Sequence, residues 1–273
     1  YIQGQCTQAS AYMLGANHFL TDLASRLGEN PDPYQERVDR IRAAMQEKLW
    51  MEEAGVFAEY LDTRGDKGLH RQPELPSIYH AAEFGAADDL QIGRMLDWAA
   101  GNLKHETTPG GGTLVWSSNW YPNNGRSYTH STHEMAYGEE LNLALTQFLA
   151  GRSDAGYGLI RSSLCGIFNG PTPGGLSCHS YVDGRQRAND EFADAESMWG
   201  RAVVEGLFGI RPRRPDGMIE LTPQIIGDWP GASIATPHFS YEWHRSGTSP
   251  VRLTLQWRTK TPAAVLLRLP VAW

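Results

Sequence analysis

Residues 9–49 read ASAYMLGANHFLTDLASRLGENPDPYQERVDRIRAAMQEKL, and this stretch decides the architecture. Ala9, Met13, Ala16, Leu20, Leu23 and Leu27 recur at steps of three and four, one stripe of an amphipathic helix. Gly28-Glu29-Asn30-Pro31 ends that helix, since glycine and proline both prevent its continuation. Val38, Ile41, Met45 and Leu49 then resume the same spacing over 33–50. A turn this short forces the two helices to lie antiparallel, side by side.

The pattern repeats along the chain. A short helix near 77–85 and a longer one near 88–104 (Ile92, Leu96, Ala99, Leu103) are split by a turn at Gly85. A third pair, near 132–150 (Leu141, Leu145, Phe148) and 154–168 (Ile160, Leu164, Ile167), is split by Gly151-Arg152-Ser153. A last helix near 190–208 ends at Gly209. Short turns close each pair, while long connections, about 51–76, about 105–131 and the stretch before 190, join one pair to the next. Long structureless loops are uncommon in compact domains and are usually functional. The helices starting near 77, 132 and 190 should therefore present their N-termini to one shared cleft.

From about 217 the period changes. Met218–Thr222, His238–Trp243, Val251–Trp257 and Ala264–Leu269 alternate and are rich in β-formers, between Pro and Gly turns. Helices followed by strands, without interleaving, predict a helical domain over 1–212 and a β-sandwich segment over 213–273.

Composition narrows the function. Hydrophobic residues are 41 % and charged residues 20 %, a globular balance, and the net charge is -7. An acidic, aromatic-rich chain lacks the clustered basic surface that nucleic acid demands. No stretch approaches the ~20 apolar residues that span a bilayer, so no membrane partner is expected. The chain opens at Tyr1 inside an expected helix and is read as a piece of a longer polypeptide, with its other half upstream; an oligomer is the alternative. Cys6, Cys165 and Cys178 lack metal-ligand spacing, and either a Cys165–Cys178 bridge or buried free thiols would account for the last two.

The loop Val115-Trp-Ser-Ser-Asn-Trp-Tyr-Pro-Asn-Asn-Gly-Arg-Ser-Tyr-Thr-His-Ser-Thr-His-Glu134 is the densest feature. Trp116, Trp120, Tyr121 and Tyr128 offer flat faces for the C–H side of a pyranose, with Asn, Ser and Arg for its hydroxyls; packing of the loop is the plainer alternative. His130, His133 and Glu134 depart from the H-E-x-x-H order of zinc sites, so no metal is expected, and Glu139 and Glu140 read as structural. Asp190, Glu191, Asp194 and Glu196 crowd the start of the last helix, and like charges at i, i+4 raise one another's affinity for protons. His179, Tyr181, Asp183 and Arg185 precede them, and Tyr79, His80 and Glu83 fall in the first turns of the short helix. Glycoside hydrolysis needs two carboxyls flanking the bond, and every cleft loop brings a candidate.

The run Glu205-Gly-Leu-Phe-Gly-Ile-Arg-Pro212, then Asp216-Gly-Met-Ile-Glu-Leu-Thr-Pro223 and Asp228-Trp-Pro-Gly-Ala232, resembles the six-hairpin glycosidases, the (α/α)6-toroid superfamily that includes rhamnosidase-like enzymes and many bacterial members. There a last toroid helix ends in Gly-Ile-x-Pro and a β-sandwich begins. The resemblance implies a mainly α fold, about half of a six-hairpin barrel followed by a β-sandwich segment. Rhamnosidase-like relatives carry Asn-His on the last inner helix, where this chain has Ala193-Asp194.

The expected activity is hydrolysis of poly- or oligosaccharide. Glu134, Asp194 and Glu83 are the candidate acid and base, with Glu196 and Asp190 in reserve. Trp116, Trp120, Tyr121 and Tyr128 would stack sugars, and His80, His130, His133, His179 and Tyr181 would bind hydroxyls. A polysaccharide lyase using Tyr128, His130, His179, Tyr181 and Arg185, or a non-catalytic carbohydrate-binding protein, are the alternatives. No dinucleotide or phosphate-loop motif is present, so no organic cofactor is expected, and the resemblance implies a periplasmic or secreted location.

Overall fold

The structure, a computed structural model, describes residues 4–119, 134–169, 179–180, 186–188, 194–213, 217–237, 239–246, 251–257 and 264–269. Its helices are α1 (Thr7–Leu27), α2 (Asp32–Lys48), α3 (Leu75–Glu83), α4 (Asp89–Asn102), α5 (Tyr137–Leu149), α6 (Ser153–Asn169) and α7 (Asp194–Arg201). The last runs on as a π-helical stretch over Ala202–Leu207. Gly28, Gly85 and Gly151, with φ of 74°, 74° and 72°, close the three hairpin turns in the left-handed region that a side chain resists. Asp88 adds a capping box to α4, its carboxylate accepting from the Gln91 N–H.

The odd-numbered helices pack in succession, α1 on α3, α3 on α5 and α5 on α7, while α2 lies against α1, α4 against α3 and α6 against α5. This is an arc of hairpins with one inner and one outer layer, an (α/α) toroid in part. One continuous core runs through it from Leu14 and Val38 through Leu75, Ile78, Met95 and Leu96 to Leu141, Ala144 and Ala202. Each hairpin hands over to the next through a long connection, so the inner helices run the same way.

Short strands brace those connections. They are β1 (Gly4–Cys6), β2 (Trp50–Met51), β3 (Val56–Phe57), β4 (Tyr60–Asp62), β5 (Leu69–His70), β6 (His105–Thr107), β7 (Thr113–Val115), β8 (His179–Ser180) and β9 (Gln186–Ala188). The first loop folds onto the chain start through the order β1-β4-β5, and β6 pairs with β7. The loops expected to lack regular structure thus carry small antiparallel ladders.

Beyond the helices come β10 (Ile210–Arg213), β11 (Met218–Leu221), β12 (Gly231–Ala235), β13 (Phe239–His244), β14 (Arg252–Trp257) and β15 (Ala264–Leu267). They form two three-stranded sheets, β10-β11-β15 and β12-β13-β14. Ile210 and Leu221 of one share a core with Phe239, Tyr241 and Trp243 of the other. The Tyr241 hydroxyl donates to the Phe208 carbonyl at 2.6 Å, tying this core to the end of the last helix.

Three expectations change in detail. α5 starts at Tyr137 rather than near 132, because Ala136 is extended (φ −132°, ψ 119°) and the chain at 134 bonds to Ser117 instead. α3 starts two residues earlier, with Pro76 in its first turn, where a missing N–H costs nothing. The stripe Ala9, Met13, Ala16, Leu23 and Leu27 of α1 faces outward, while Thr7, Ala11, Leu14, Asn17 and Ala24 face the core.

Candidate functional site

The N-terminal ends of α3 and α5 are joined by backbone hydrogen bonds. The Leu75 N–H donates to the Ser117 carbonyl at 2.8 Å, and the Ser117 N–H donates to the Glu134 carbonyl at 2.7 Å. Residue 117 therefore lies between the first residue of α3 and the chain entering α5. The Trp116 N–H donates to the Lys104 carbonyl at 2.8 Å, and the Val115 N–H to Glu140 Oε1 at 2.6 Å.

Five buried carboxyl side chains gather around this seam: Glu59, Glu74, Glu134, Glu139 and Glu140. Glutamate is seldom buried without a partner, so such a cluster needs a chemical reason. Glu59 sits where β3 gives way to β4, and its Oε2 accepts from the Glu74 N–H at 3.1 Å and the Ser77 hydroxyl at 2.8 Å. It thereby caps the first turn of α3, where the helix dipole favours an anion. Glu74 is the N-cap residue itself and makes no cap with its own side chain. Burial first, then the charge of Glu59, a hydrogen bond with Glu59 and the charge of Glu139, push its carboxyl up to about 10. Like charges in a dry site cannot both ionise, so Glu74 keeps its proton.

Glu140 has no exposed surface, and burial pushes its carboxyl well above the usual range, the Val115 N–H opposing this. Glu139 and Glu140, read from the sequence as structural, lie buried in the first turn of α5, where Glu140 accepts from the Val115 N–H. Glu59 and Glu74 were missed as candidates. The detectable signal was Pro76, which marks a helix start and makes Glu74 the N-cap at the cleft end.

Among the predicted catalytic residues, Glu134 is buried at the seam, three residues before α5. Glu83 is the last residue of α3, at the opposite end from Glu74, and its carboxylate is ion-paired with Arg201. This differs from the placement expected in the first turns, because α3 is only 9 residues long and starts early. Glu196 is exposed in the first turn of α7, which begins at Asp194. Asp190 lies outside the described residues.

Among the binding candidates, Trp116 is partly buried and held on two sides. Its indole N–H donates to Glu106 Oε1 at 2.7 Å, and the Lys104 ammonium lies 3.5 Å from the ring centroid. His80 is buried between Tyr12 and Tyr79, both at 4.3 Å between ring centroids, with Phe84 stacked at 5.8 Å. Burial drives its imidazole down to about 4, so it is neutral at physiological pH. His179 falls in β8. Trp120, Tyr121, Tyr128, His130, His133, Tyr181, Arg185 and Cys178 lie outside the described residues. No group of three or more His, Cys, Asp or Glu suited to a metal ion occurs among the described residues.

An arc of helix hairpins whose long loops converge at one end is an (α/α) toroid fold, and solved glycosidase structures share it. Residues 3–131, just under half of the chain, match the family model of the Mannosylglycerate hydrolase MGH1-like glycoside hydrolase domain. Similar solved structures include the GH78 family rhamnosidase of Bacillus sp. GL1, at 13 % identity and a TM-score of 0.61, covering 97 % of this chain and 26 % of that one. A bacterial glucoamylase complexed with acarbose matches with a TM-score of 0.58 and 13 % identity, over 74 % of this chain and 33 % of that one. The GH63 mannosylglycerate hydrolase from Thermus thermophilus, in complex with glucose, gives 0.50 and 15 %, over 71 % and 47 %. The chain thus spans about a quarter to a half of the length of these structures. No curated protein matches it in sequence.

Proposed function

We propose that this chain contributes the carboxyls of a glycoside hydrolase acting on a poly- or oligosaccharide, with Glu74 as general acid and Glu134 as its basic partner. The observation that carries the reading is the buried Glu74, whose carboxyl burial and the neighbouring Glu59 push up to about 10, at the seam where Ser117 joins α3 to residue 134. A general acid must hold its proton until the glycosidic oxygen receives it, and burial beside a carboxylate secures that. Handing over the proton leaves a buried charge, a cost that a developing oxocarbenium ion would offset. Glu134 then activates water or attacks the anomeric carbon, according to its separation from Glu74 in the complex. Trp116, held by Lys104 and Glu106, is the stacking platform for a pyranose ring. The family match over residues 3–131 supports the reaction class.

The test is hydrolysis of a panel of 4-nitrophenyl glycosides and neutral oligosaccharides by the protein and by Glu74→Gln and Glu134→Gln, with folding checked by circular dichroism. Each folded variant should lose at least about 100-fold in kcat, the usual scale for acid–base groups. Two folded variants that retain wild-type turnover would sink this assignment.

A further inference from the structure

The sheet β1-β4-β5 lies across the N-terminal ends of two inner helices. β1 runs straight into α1, and the Thr7 N–H donates to the Glu59 carbonyl at 3.0 Å. The Glu59 side chain caps α3, while its own N–H donates to the His70 carbonyl at 3.0 Å. One residue thus ties the sheet both to Glu74 and to His70.

The two faces of this sheet differ. Gln5, Leu61 and Leu69 stand in register, and the two leucines pack against the core. Side chains alternate along a strand, so Cys6, Tyr60 and His70, also in register, form a row on the other face. Tyr60 and His70 are half-buried, and their rings stack at 4.8 Å between centroids and 12° between planes. Stacking occupies ring faces and leaves the polar atoms at the ring edges. The turn beyond β4 is pinned by Asp62, whose carboxylate accepts from the N–H groups of Arg64, Gly65 and Asp66 at 2.8, 3.0 and 2.8 Å. The pair is therefore set before any ligand arrives, which lowers the cost of binding. Both groups are neutral at physiological pH. Burial, then Asp62, Glu59 and Asp66, raise the Tyr60 phenol, and burial lowers the His70 imidazole against the pull of Glu59. A neutral phenol and a neutral imidazole can each donate and accept a hydrogen bond, the complement of sugar hydroxyls.

We infer that Tyr60 and His70 form a subsite for an uncharged pyranose residue beside Glu74, the phenol and imidazole hydrogen-bonding to its hydroxyls. The inference rests on the carbohydrate reading above and adds to it two binding residues and a sugar class, neutral rather than uronate. Trp116 adjoins Ser117, which bonds to Leu75, whereas this pair reaches Glu74 through Glu59, so the two sugar contacts belong to different loops.

The experiment titrates maltotriose, cellotriose, mannotriose and trigalacturonate by calorimetry into the protein and into Tyr60→Phe, His70→Ala and His70→Gln. A neutral trisaccharide should bind, about 5-fold or more weaker in Tyr60→Phe and His70→Ala, with His70→Gln largely restoring affinity because it keeps a donor and an acceptor. Thermal midpoints should stay within about 2 °C, since Tyr60→Phe keeps the stacked ring. For a sugar that is turned over, KM should carry the loss while kcat stays within about 2-fold. If His70→Ala does not fold, Tyr60→Phe decides. Unchanged affinity overturns the inference, as does preference for trigalacturonate or binding of none of the four sugars. Because binding is read directly, Glu74 can fail as the acid while the subsite stands. Conversely, loss of turnover in Glu74→Gln with KM unmoved in Tyr60→Phe and His70→Ala overturns the subsite alone.

Discussion

Glu140 accepts a hydrogen bond from the backbone N–H of Val115 at 2.6 Å, from a position with no solvent exposure. This contact holds the end of β7 against the first turn of α5 and fixes where the aromatic loop begins. Truncation by Glu140→Ala leaves the Val115 N–H without its acceptor and opens a cavity, a loss of about 2–4 kcal/mol. Glu140→Gln keeps a carbonyl oxygen for that N–H and should cost less than half as much. Urea unfolding of the two variants decides; equal losses would show that the hydrogen bond does not matter.

The pair Glu59 and Glu74 makes stability depend on pH in a specific direction. The native Glu74 carboxyl titrates near 10, above the value of 4.5 for a free glutamate. The folded state therefore holds a proton that the unfolded chain releases. Its contribution is fully present below about pH 4.5 and is lost as pH rises towards about 10, with a slope of at most about 1.4 kcal/mol per pH unit. Glu74→Gln should flatten this decline between about pH 6 and 9 in denaturation series. A decline as steep in the variant would place its origin elsewhere.

His80 acts at the other end of the scale. Its native value near 4 lies below the 6.5 of a free imidazole, so the unfolded chain takes up a proton that the folded chain excludes. Stability from this residue is complete above about pH 6.5 and is lost as pH falls towards about 4. His80→Phe fills the same slot between Tyr12, Tyr79 and Phe84 without a titrating group. Thermal midpoints between about pH 4 and 7 should vary less in the variant than in the parent protein.

Gly166 is where α6 lets α5 approach. A Cβ at this position would collide with the Tyr137 hydroxyl. Gly166→Ala should cost about 1–3 kcal/mol through overpacking. Adding Tyr137→Ala removes both the hydroxyl and the ring carbons that the Cβ would meet, so the double variant should be more stable than the sum of the single losses allows. A strictly additive thermodynamic cycle would refute the contact.

The hairpin alternation was legible in the chain because a helix period of about 3.6 residues and left-handed glycine turns are local properties. Gly28, Gly85 and Gly151 end their helices whatever surrounds them. Residues 134–136 escaped that reading because the backbone at Glu134 pairs with Ser117, a distant partner that no local period can announce. The same holds for the site. Composition and spacing pointed to carboxyls and aromatics at one end of the helical array, and Glu134 was among them. Glu74 becomes distinctive through the approach of Glu59, 15 residues earlier, which depends on β4 folding back against β1.

By itself, then, the amino-acid order determined the helix pairs, the ends at which long loops emerge, and the change from helices to strands, although β10 at Ile210–Arg213 begins it before the expected 217. Each follows from backbone conformations and side-chain periods set within a few residues. Only the tertiary structure decided which carboxyls are dry enough to hold a proton and which face of α1 meets the core. Both depend on what lies across the gap from a residue, because desolvation and burial are properties of neighbours in space.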